Sequence, residues 1–541
     1  MTTVLVVGAG PTGLTAAAEL ARRGLAVRVV DRQSRPAVTS RALVVQSRTL
    51  EVFDDMGVVE QVLSAGRPAD QLTAVIKGRP FRFDLGAQLS GESDLYTAYP
   101  DPQMIPQDLT ERLLTEHLLG LGVPVERGVV FEDLDQDEDG VRARLRRSDG
   151  TEEVVTARWV IGADGAHSRV RSTVGIPFEG ATYAEEFIQA DARLDWDLPD
   201  GELYIFPAKD GIFAAWAMPG PGRFRIFGSV PAGARDDTDN APTLADLQTL
   251  MDQRSSVPAR IAETSWTARY RLHRRSVPRF REGRVFLAGD AAHIHSPAGA
   301  QGMNTGIQDA YNLAWKIAAV EHGHAHAGIL DSYSAERHPV ATQLLRTTDR
   351  GFSIAAAQHP LARLVRALQP RLLPHAVARP AFRRLVAGLF SQLRVGYPDS
   401  PLNSHDGPMR HGPRPGDRAR EVVVGGQRLF TLLRGTHYTV LLFTRDADTS
   451  PALALAATLE NRYGAAVHTH IVSMRDGAGA LTDSDGSAHK RYSNDTAYVI
   501  RPDGHIAYRG TPIQLDLLQA DLDRRVAHTD PIPRIGPFQH A

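Results

Sequence analysis

Thirty residues at the amino end leave this chain little freedom in what it folds into. Val4-Leu5-Val6-Val7 is an unbroken apolar run, the composition of a strand buried on both faces. Gly8-Ala9-Gly10-Pro11-Thr12-Gly13 follows at once, then a helical stretch from Leu14 to Arg23, then a second apolar strand, Leu25 to Val30, closing on Asp31. Gly8 permits a tight turn, Gly10 lets the backbone approach a pyrophosphate, and Gly13 lets the helix lie close to the strand. Asp31 stands where a carboxylate accepts a ribose 2′-hydroxyl. An acid there repels a 2′-phosphate, so the unit suits FAD or NAD better than NADP. A bare GxGxxG is weak evidence; strand before, helix after and acid at the end make it a βαβ unit.

Two later stretches repeat the device of a strand that delivers an Asp into a turn. In Arg284 to Lys316, the strand Val285 to Ala288 reaches a turn at Gly289-Asp290 and a Gly/Pro loop. A helix then starts near Gly302-Met303-Asn304, with Ile307, Tyr311, Ala314, Trp315 and Ala318 at helical spacing. Asp290 can accept from a ribitol or ribose hydroxyl. The first N–H groups of the helix carry partial positive charge, suited to a phosphate or an anionic ring oxygen. In Trp159 to Arg171, an apolar strand delivers Asp164-Gly165, followed by Ser168, Arg169 and Arg171.

The stretches between are less specific. Ser40 to Leu50 leads into an amphipathic helix with Val52, Phe53 and Met56; Arg41 beside it is either a solvated charge or a cofactor contact. Asp108 reads as the N-cap of a helix Thr110 to Gly120, after Gln107. Val123 to Val160 reads as strands with a hairpin at Asp149-Gly150. Phe187 to Val230 alternates as antiparallel strands do, with turns at Lys209-Asp210-Gly211 and Pro219 to Gly222. Phe206, Phe213 and Trp216 read first as core of that sheet, and otherwise as the wall of an apolar site. His322, His324 and His326, like His293 and His295, lack an accompanying carboxylate pattern, so no metal is expected. Leu361 to Arg394, arginine-rich and broken by Pro370, Pro374 and Pro380, suggests bridging helices rather than a membrane-surface helix.

After a Pro-, Gly- and His-dense linker, Asn403 to Asp417, the pattern changes. Tyr438 to Thr444 is a strand, Pro451 to Tyr463 a helix and Val467 to Val472 a strand. Ala497 to Tyr508 is a hairpin turning on Arg501-Pro502-Asp503-Gly504, and a last helix carries Leu515, Leu518, Leu522 and Val526. That order is thioredoxin-like. The chain has no cysteine, so this domain cannot do dithiol chemistry and its role is structural or at an interface.

The absence of cysteine also excludes disulfides and thiolate nucleophiles, and fits a reducing compartment. The run Val4 to Val7 is too short for a signal peptide or membrane span, so a cytoplasmic chain is expected. A net charge of −2 over 541 residues provides no field to gather nucleic acid or an anionic membrane. That length implies two or three domains. The expectation is an α/β protein with a discontinuous Rossmann-like nucleotide domain, 1–72, 100–175 and 270–345. An antiparallel β-sheet substrate domain, 73–99 and 176–269, interrupts it. Bridging helices at 346–400 and a C-terminal thioredoxin-like domain at 401–541 complete it.

Three patterns therefore occur in one order: GAGPTG (Gly8 to Gly13), GADGAHSRVR (Gly162 to Arg171) and GDAAHIHSPAGAQGMNTGIQDAYNLAWK (Gly289 to Lys316). The ensemble closely resembles the class A, single-component FAD-dependent aromatic hydroxylases. The tail with RPDGHIAYRG, Arg501 to Gly510, resembles their phenol-hydroxylase branch, which oxidises phenols, polyketides and related antibiotics. The resemblance spans nearly the whole chain. It implies that Gly8, Gly10, Thr12 and Gly13 hold the FAD pyrophosphate, with Asp31 and Arg32 near the adenosine. Arg41 and Gln107 match positions that reach FAD, and Asp164 a turn that serves both FAD and NAD(P)H. Asp290 matches the ribitol-binding Asp, while Pro297, Gly302, Met303 and Asn304 lie along the isoalloxazine. Ser296 stands where a second Pro is usual and Ala300 where a Gly is usual; both bear on flavin mobility or substrate position.

The implied chemistry is a monooxygenation. NAD(P)H as co-substrate reduces FAD, O₂ adds at C4a, and the hydroperoxide gives its terminal oxygen to an electron-rich ring of a small aromatic substrate. No obligatory catalytic side chain is implied, and no base is identified. No second GxGxxG is present, which agrees with a nicotinamide that visits FAD without its own Rossmann domain. The same cofactor could instead carry out a Baeyer–Villiger insertion or inactivate an aromatic antibiotic. A flavin halogenase is disfavoured by the lack of a WxWxIP-like segment. A non-catalytic protein that binds an aromatic metabolite is disfavoured by the intact glycines, Asp164 and Asp290. A monomer or homodimer in secondary metabolism, such as antibiotic biosynthesis, is expected.

Overall fold

The Val4–Val7 run lies in the middle of a sheet, with a parallel neighbour on each side. In the computed structural model the described residues are 2–37, 42–69, 71–84, 86–90, 95–208, 211–230, 241–295, 300–356, 375, 379–409, 411–445 and 448–526. They divide into two compact units, Met1–Asn312 with Ser334–Val395, and Leu313–Tyr333 with Gly396–Ala541.

In the first unit, strand Thr2–Val7 pairs in parallel with Val27–Asp31 on one side and Glu152–Gly162 on the other. Strand Val285–Leu287 continues the sheet beyond Glu152–Gly162, and Val125–Arg127 continues it beyond Val27–Asp31, both in parallel. Val7 is in register with Gly162, and Gly162 with Leu287. The three glycine-bearing turns, distant in sequence, therefore leave the sheet at one edge, its carboxyl edge. Close packing there demands glycine. A Cβ on Gly8 (φ +108°) would lie 2.6 Å from the Ala163 carbonyl carbon, and one on Gly13 would overlap the Gly8 carbonyl.

The first unit also carries an eight-stranded sheet, antiparallel except where Leu203–Ala208 runs parallel to Gln71–Ile76. Its spine is a pair of eighteen-residue strands, Glu179–Trp196 and Ala259–Ser276. Strand alternation gives it two faces. One presents Ile188, Ala190, Tyr204, Phe206, Phe213, Ala215, Phe224 and Ile226 to Leu247, Leu250 and Met251 of helix Leu244–Arg254. Phe206 and Phe213 are thus core residues. Trp216 belongs to the other face and packs against Leu43, Met104, Leu203 and Met218. Strand Ala259–Ser276 did not stand out in the sequence because charged and polar residues interrupt its alternation (ARIAETSWTARYRLHRRS).

The Asp108 reading needs correction. The helix starts earlier, at Gln107, and runs to Gly120, with Pro106 at the N-cap and Asp108 inside the first turn. The Pro106 carbonyl accepts from the N–H groups of Leu109 and Thr110 at 3.0 and 3.1 Å, which draws the helix start upstream. Of the proline-broken stretch 361–394, residues 361–374 and 376–378 lie outside the described residues, as do Lys209 and Asp210; Pro380–Ser391 is a helix. No helix among the described residues is long and apolar enough to cross a membrane.

The second unit holds a six-stranded sheet in the order Ser404–Asp406, Ile506–Gly510, Thr496–Ile500, Tyr438–Thr444, Val467–Ser473, Ala480–Thr482. Tyr438–Thr444 is parallel to Val467–Ser473 across helix Ser450–Tyr463, and antiparallel to Thr496–Ile500. The hairpin turns on Arg501 to Gly504 and helix Leu515–Arg525 follows, burying Leu518 and Leu522. That turn places a charged pair in the core: Arg501 Nε donates to Asp503 Oδ1 at 3.0 Å, and Trp315 Nε1 donates to Asp503 Oδ2 at 3.3 Å. Burial alone would raise the Asp503 pKa, but Arg501 and His505 hold it well below the carboxylate range.

We therefore expect Asp503→Ala, which removes the carboxylate beside a buried guanidinium, to cost about 3–5 kcal/mol in a urea titration. A depressed carboxylate stabilises above its unfolded pKa and loses that contribution as pH falls toward its folded one. Unfolding midpoints of the unaltered chain should accordingly drop below about pH 4, with a shallower drop for Asp503→Asn. Equal slopes would mean that Asp503 is not ionised in the fold.

Candidate active site

The three turns at the carboxyl edge of the parallel sheet form the site, and each performs a different task. Gly10 caps helix Pro11–Arg22 in an extended conformation, and a Cβ built on it meets nothing within 4 Å. Open space over a helix N-terminus fits a pyrophosphate. Beside it, Asp31 is fixed by two backbone donors, Ala9 N–H to Oδ2 and Gln33 N–H to Oδ1, each at 2.7 Å. Each carboxylate oxygen has a second lone pair with which to receive a hydroxyl. Arg32, next along the chain, is exposed. Thr12 turns inward: its hydroxyl oxygen would lie 2.6 Å from a Cβ on Gly289, and it also crowds Gly306. Its side chain thus keys the first turn to the third.

Asp164 lies before helix Arg169–Thr173, whose N-cap is Ser168. It accepts from Ser168 Oγ at 2.5 Å and from the Arg169 and Val170 N–H groups at 2.7 and 3.2 Å. Ser168 Oγ in turn accepts from Arg171 N–H at 2.9 Å. Burial raises the Asp164 pKa against the pull of these donors. Arg171 reaches back with Nη1 to the Ala291 carbonyl at 2.9 Å and Nη2 to the Ala166 carbonyl at 3.0 Å, tying the second turn to the third.

The third turn, Gly289–Ala291, is one turn of 3₁₀ helix. Ala288, Gly289, Ala291 and Ala292 are buried and Asp290 is exposed, so the chain presents this carboxylate outward. Asp309, wholly buried, holds the turn from beneath. Its Oδ2 accepts from Gly289 N–H at 3.1 Å and His293 Nε2 at 2.7 Å, and its Oδ1 from Arg337 Nε at 2.7 Å. Burial alone would raise the Asp309 pKa, yet Arg337 and His293 hold it below the usual range. His293 thus serves a carboxylate.

Asn304, in the first turn of helix Gly302–Glu321, is also fully buried, and its amide is taken up by backbone. Oδ1 accepts from Gln46 N–H at 2.9 Å; Nδ2 donates to the carbonyls of Val44 at 2.8 Å and Ala300 at 2.9 Å. It can therefore meet a bound ring only through its main chain. Gly302 and Met303 are half-buried. Ala300, just before the helix, has φ +51°, a left-handed conformation that costs a non-glycine residue about 1–2 kcal/mol. Arg41, Ser296 and Pro297 lie outside the described residues. Arg41's neighbour Ala42 is held on both sides. Its N–H donates to Gln107 Oε1 at 3.3 Å, and its carbonyl accepts from Gln107 N–H at 3.2 Å and Arg225 Nη1 at 3.0 Å. Arg225 is buried and paired with Asp191 through two bonds of 2.6 and 2.8 Å.

Asp309, Arg337, Arg225 and Asp191 escaped the sequence reading. A signal existed for the first. Asn304, Thr305, Gln308, Asp309 and Asn312 recur at helical spacing inside an otherwise apolar helix, and all are buried. A polar stripe on a buried helix is a network, not a solvated face.

Above this floor lies an apolar wall from the second face of the antiparallel sheet. Trp216 meets Phe227 edge-on at 4.9 Å between centroids. Leu72, Trp216, Ala300 and Val386, all half-buried, pack on a buried cluster of Leu43, Val44, Ala69, Phe83, Met104, Leu203 and Met218. Open space at Gly10, a fixed Asp31 and an outward Asp290 together fit FAD.

Comparisons with known proteins agree. A protein-family model described as an FAD binding domain matches residues 1–348. The chain is 38% identical over 522 residues to 6-methylpretetramide 4-monooxygenase of Streptomyces rimosus, covering 94% of this chain and 90% of that one. Anhydrotetracycline hydroxylase from Streptomyces rimosus superposes with a TM-score of 0.75 at 30% identity, over 97% of this chain and 98% of that one. Aklavinone-11 hydroxylase, solved with FAD and aklavinone, superposes with a TM-score of 0.75 at 26% identity, over 97% and 99%.

If Asp309 sets the Asp290 turn, Asp309→Asn should raise the FAD dissociation constant about tenfold, equivalent to about 1.4 kcal/mol. Flavin fluorescence during apoprotein titration measures this. Affinity as in the unaltered chain would leave Asp309 a purely structural role.

Proposed function

The chain belongs to the FAD-dependent aromatic monooxygenases, and from that premise we propose that it hydroxylates a phenolic ring of a polycyclic, polyketide-like substrate. The observation that carries this reading is the half-buried apolar edge of Leu72, Trp216, Ala300 and Val386 beside the start of helix Gly302–Glu321. An accessible apolar surface backed by a packed cluster suits a flat, multi-ring compound. The relatives named for 6-methylpretetramide and anhydrotetracycline point the same way.

When bound, FAD supplies the redox and oxygen-activating chemistry, with NAD(P)H as electron donor. The chain's own residues bind and orient. Gly8, Gly10 and Gly13 form the pyrophosphate cradle, with Thr12 bracing it; Asp31, flanked by Arg32, takes the adenosine ribose and Asp290 the ribitol. Asp164 shapes the helix cap beside them, Gln107 positions the segment next to Arg41, and Gly302, Met303 and Asn304 present the helix start to the ring. Pro297 is assigned to that loop by resemblance alone. The partial positive charge of the helix start would stabilise negative charge on a flavin bound there. The apolar wall excludes water, which protects a reactive oxygen species from unproductive loss.

Segments 1–72, 100–175 and 270–345 are read as the FAD-binding domain, 73–99 and 176–269 as the substrate domain and 346–400 as the bridge. Segment 401–541 is read as a thioredoxin-like domain. The strand order, with a parallel central pair, an antiparallel hairpin and a terminal helix, supports the last assignment. Lacking cysteine, it cannot do dithiol chemistry, and its contribution is architectural or at an interface.

Purified flavoprotein with NADPH, O₂ and hydroxylated polycyclic aromatics should consume NADPH at least about tenfold faster than without the aromatic. It should place one labelled oxygen atom from O₂ in the product and release little H₂O₂. Insertion beside a carbonyl, read by product NMR, would replace hydroxylation with the Baeyer–Villiger outcome. No flavin reduction with any aromatic would defeat the enzyme reading.

A further inference from the structure

Backbone strain and accessible apolar surface coincide at one corner of the first unit. Among the described residues, four that are not glycine adopt positive φ: Lys77, Ala300, Gln392 and Asp495. Ala300 lies two residues before helix Gly302–Glu321, and Gln392 binds its first two turns. The conformation of Gln392 (φ +58°) has an evident use. It ends helix Pro380–Ser391, and its side chain donates to Thr305 Oγ1 at 3.1 Å and accepts from Gln308 Nε2 at 2.7 Å.

Ala300 has no polar side chain to offset its left-handed backbone. Its carbonyl is held by Asn304 Nδ2 at 2.9 Å, which would hold a glycine in the same place without strain. What alanine adds is one methyl group, and that methyl is half-buried on the same apolar cluster as Trp216 and Val386. Strain that glycine would abolish persists where the added group has a use. Val386 is held at this corner by the C-terminal end of its helix: Gln301 Nε2 donates to the Leu389 carbonyl at 2.9 Å, and Gln392 clasps Gln308 and Thr305. Trp216 arrives from the antiparallel sheet, braced edge-on by Phe227. Three separate elements therefore converge on one accessible apolar edge.

We propose that Ala300, Val386 and Trp216 form the size-selecting edge of the substrate site, with the strained Ala300 methyl setting how far a ring system can extend toward the start of helix Gly302–Glu321. This rests on the hydroxylase reading above. The ligand class is a flat aromatic whose apolar edge packs there, and discrimination arises from the volume of these three side chains rather than from hydrogen bonds. Ala300 and Val386 carry no polar side-chain group.

The test compares 4-methylphenol with 1,8-dihydroxyanthraquinone as probes. Their dissociation constants for the oxidised holoenzyme are measured calorimetrically without NADPH, and kcat/KM for stimulated NADPH oxidation is measured per bound flavin. Ala300→Gly should shift the ratio of the two dissociation constants about tenfold toward the three-ring compound, and Val386→Phe about tenfold or more the other way. The kcat/KM ratio should follow in both. Should Val386→Phe fail to fold, Val386→Ala takes its place and should move the ratio in the direction of Ala300→Gly. Ratios within about twofold of the unaltered protein in both variants, with the flavin spectrum unchanged, would overturn the proposal. If the unaltered holoenzyme neither binds nor responds to either probe or any phenol, the hydroxylase reading itself fails and the proposal falls with it.

Discussion

The first unit depends on parallel pairing among strands that are far apart in sequence. Thr2–Val7, Glu152–Gly162 and Val285–Leu287 are neighbours in register, so three turns separated by well over a hundred residues emerge side by side. No local propensity could bring Gly8, Asp164 and Asp290 together. The proposed cofactor cradle is a property of the sheet's edge, and the side chains that cross between turns tighten it. Thr12 seats against Gly289 and Gly306, and Arg171 holds the Ala291 carbonyl. A parallel sheet must be covered on both faces, which is why its central strand reads as an uninterrupted apolar run.

The floor of the site is held by charge buried beneath it. Asp309 joins a backbone N–H of the turn, a histidine and an arginine, with hardly any solvent contact for any of the side chains. Such a cluster is weak as a source of stability, because desolvation cancels most of its attraction, but it tolerates few geometries. Asn304 does the same work in neutral form. These residues fix where Asp290 and the helix start point and leave the outward surface to the ligand.

Much of this was legible in the sequence because it is local. The βαβ unit, the two later Asp-bearing turns, the hairpin at Arg501 to Gly504 and the helix at Gly302 each have a composition that determines a backbone path. Phe206 and Phe213 were placed correctly in the core from alternation alone. What stayed hidden is pairing at a distance. Arg225 looked like one arginine among many, and its partnership with Asp191 and the Ala42 carbonyl exists only once two strands lie together. Nothing in the local sequence shows that the Asn304 amide serves the Val44–Gln46 segment, with Gln46 258 positions away. Asp108 was misplaced by two residues because Pro106 begins the helix without a side-chain cap.

The division of labour between cradle and edge has an evolutionary consequence. Gly8, Gly13 and Asp309 are each locked to several neighbours, so change there is punished at once. Leu72, Trp216, Ala300 and Val386 sit half-buried on four separate parts of the chain, away from the hydrogen bonds that hold the turns. Under the size-selection proposal, single apolar substitutions at these positions would move such a chain from one aromatic to another while the buried polar scaffold of the turns is kept.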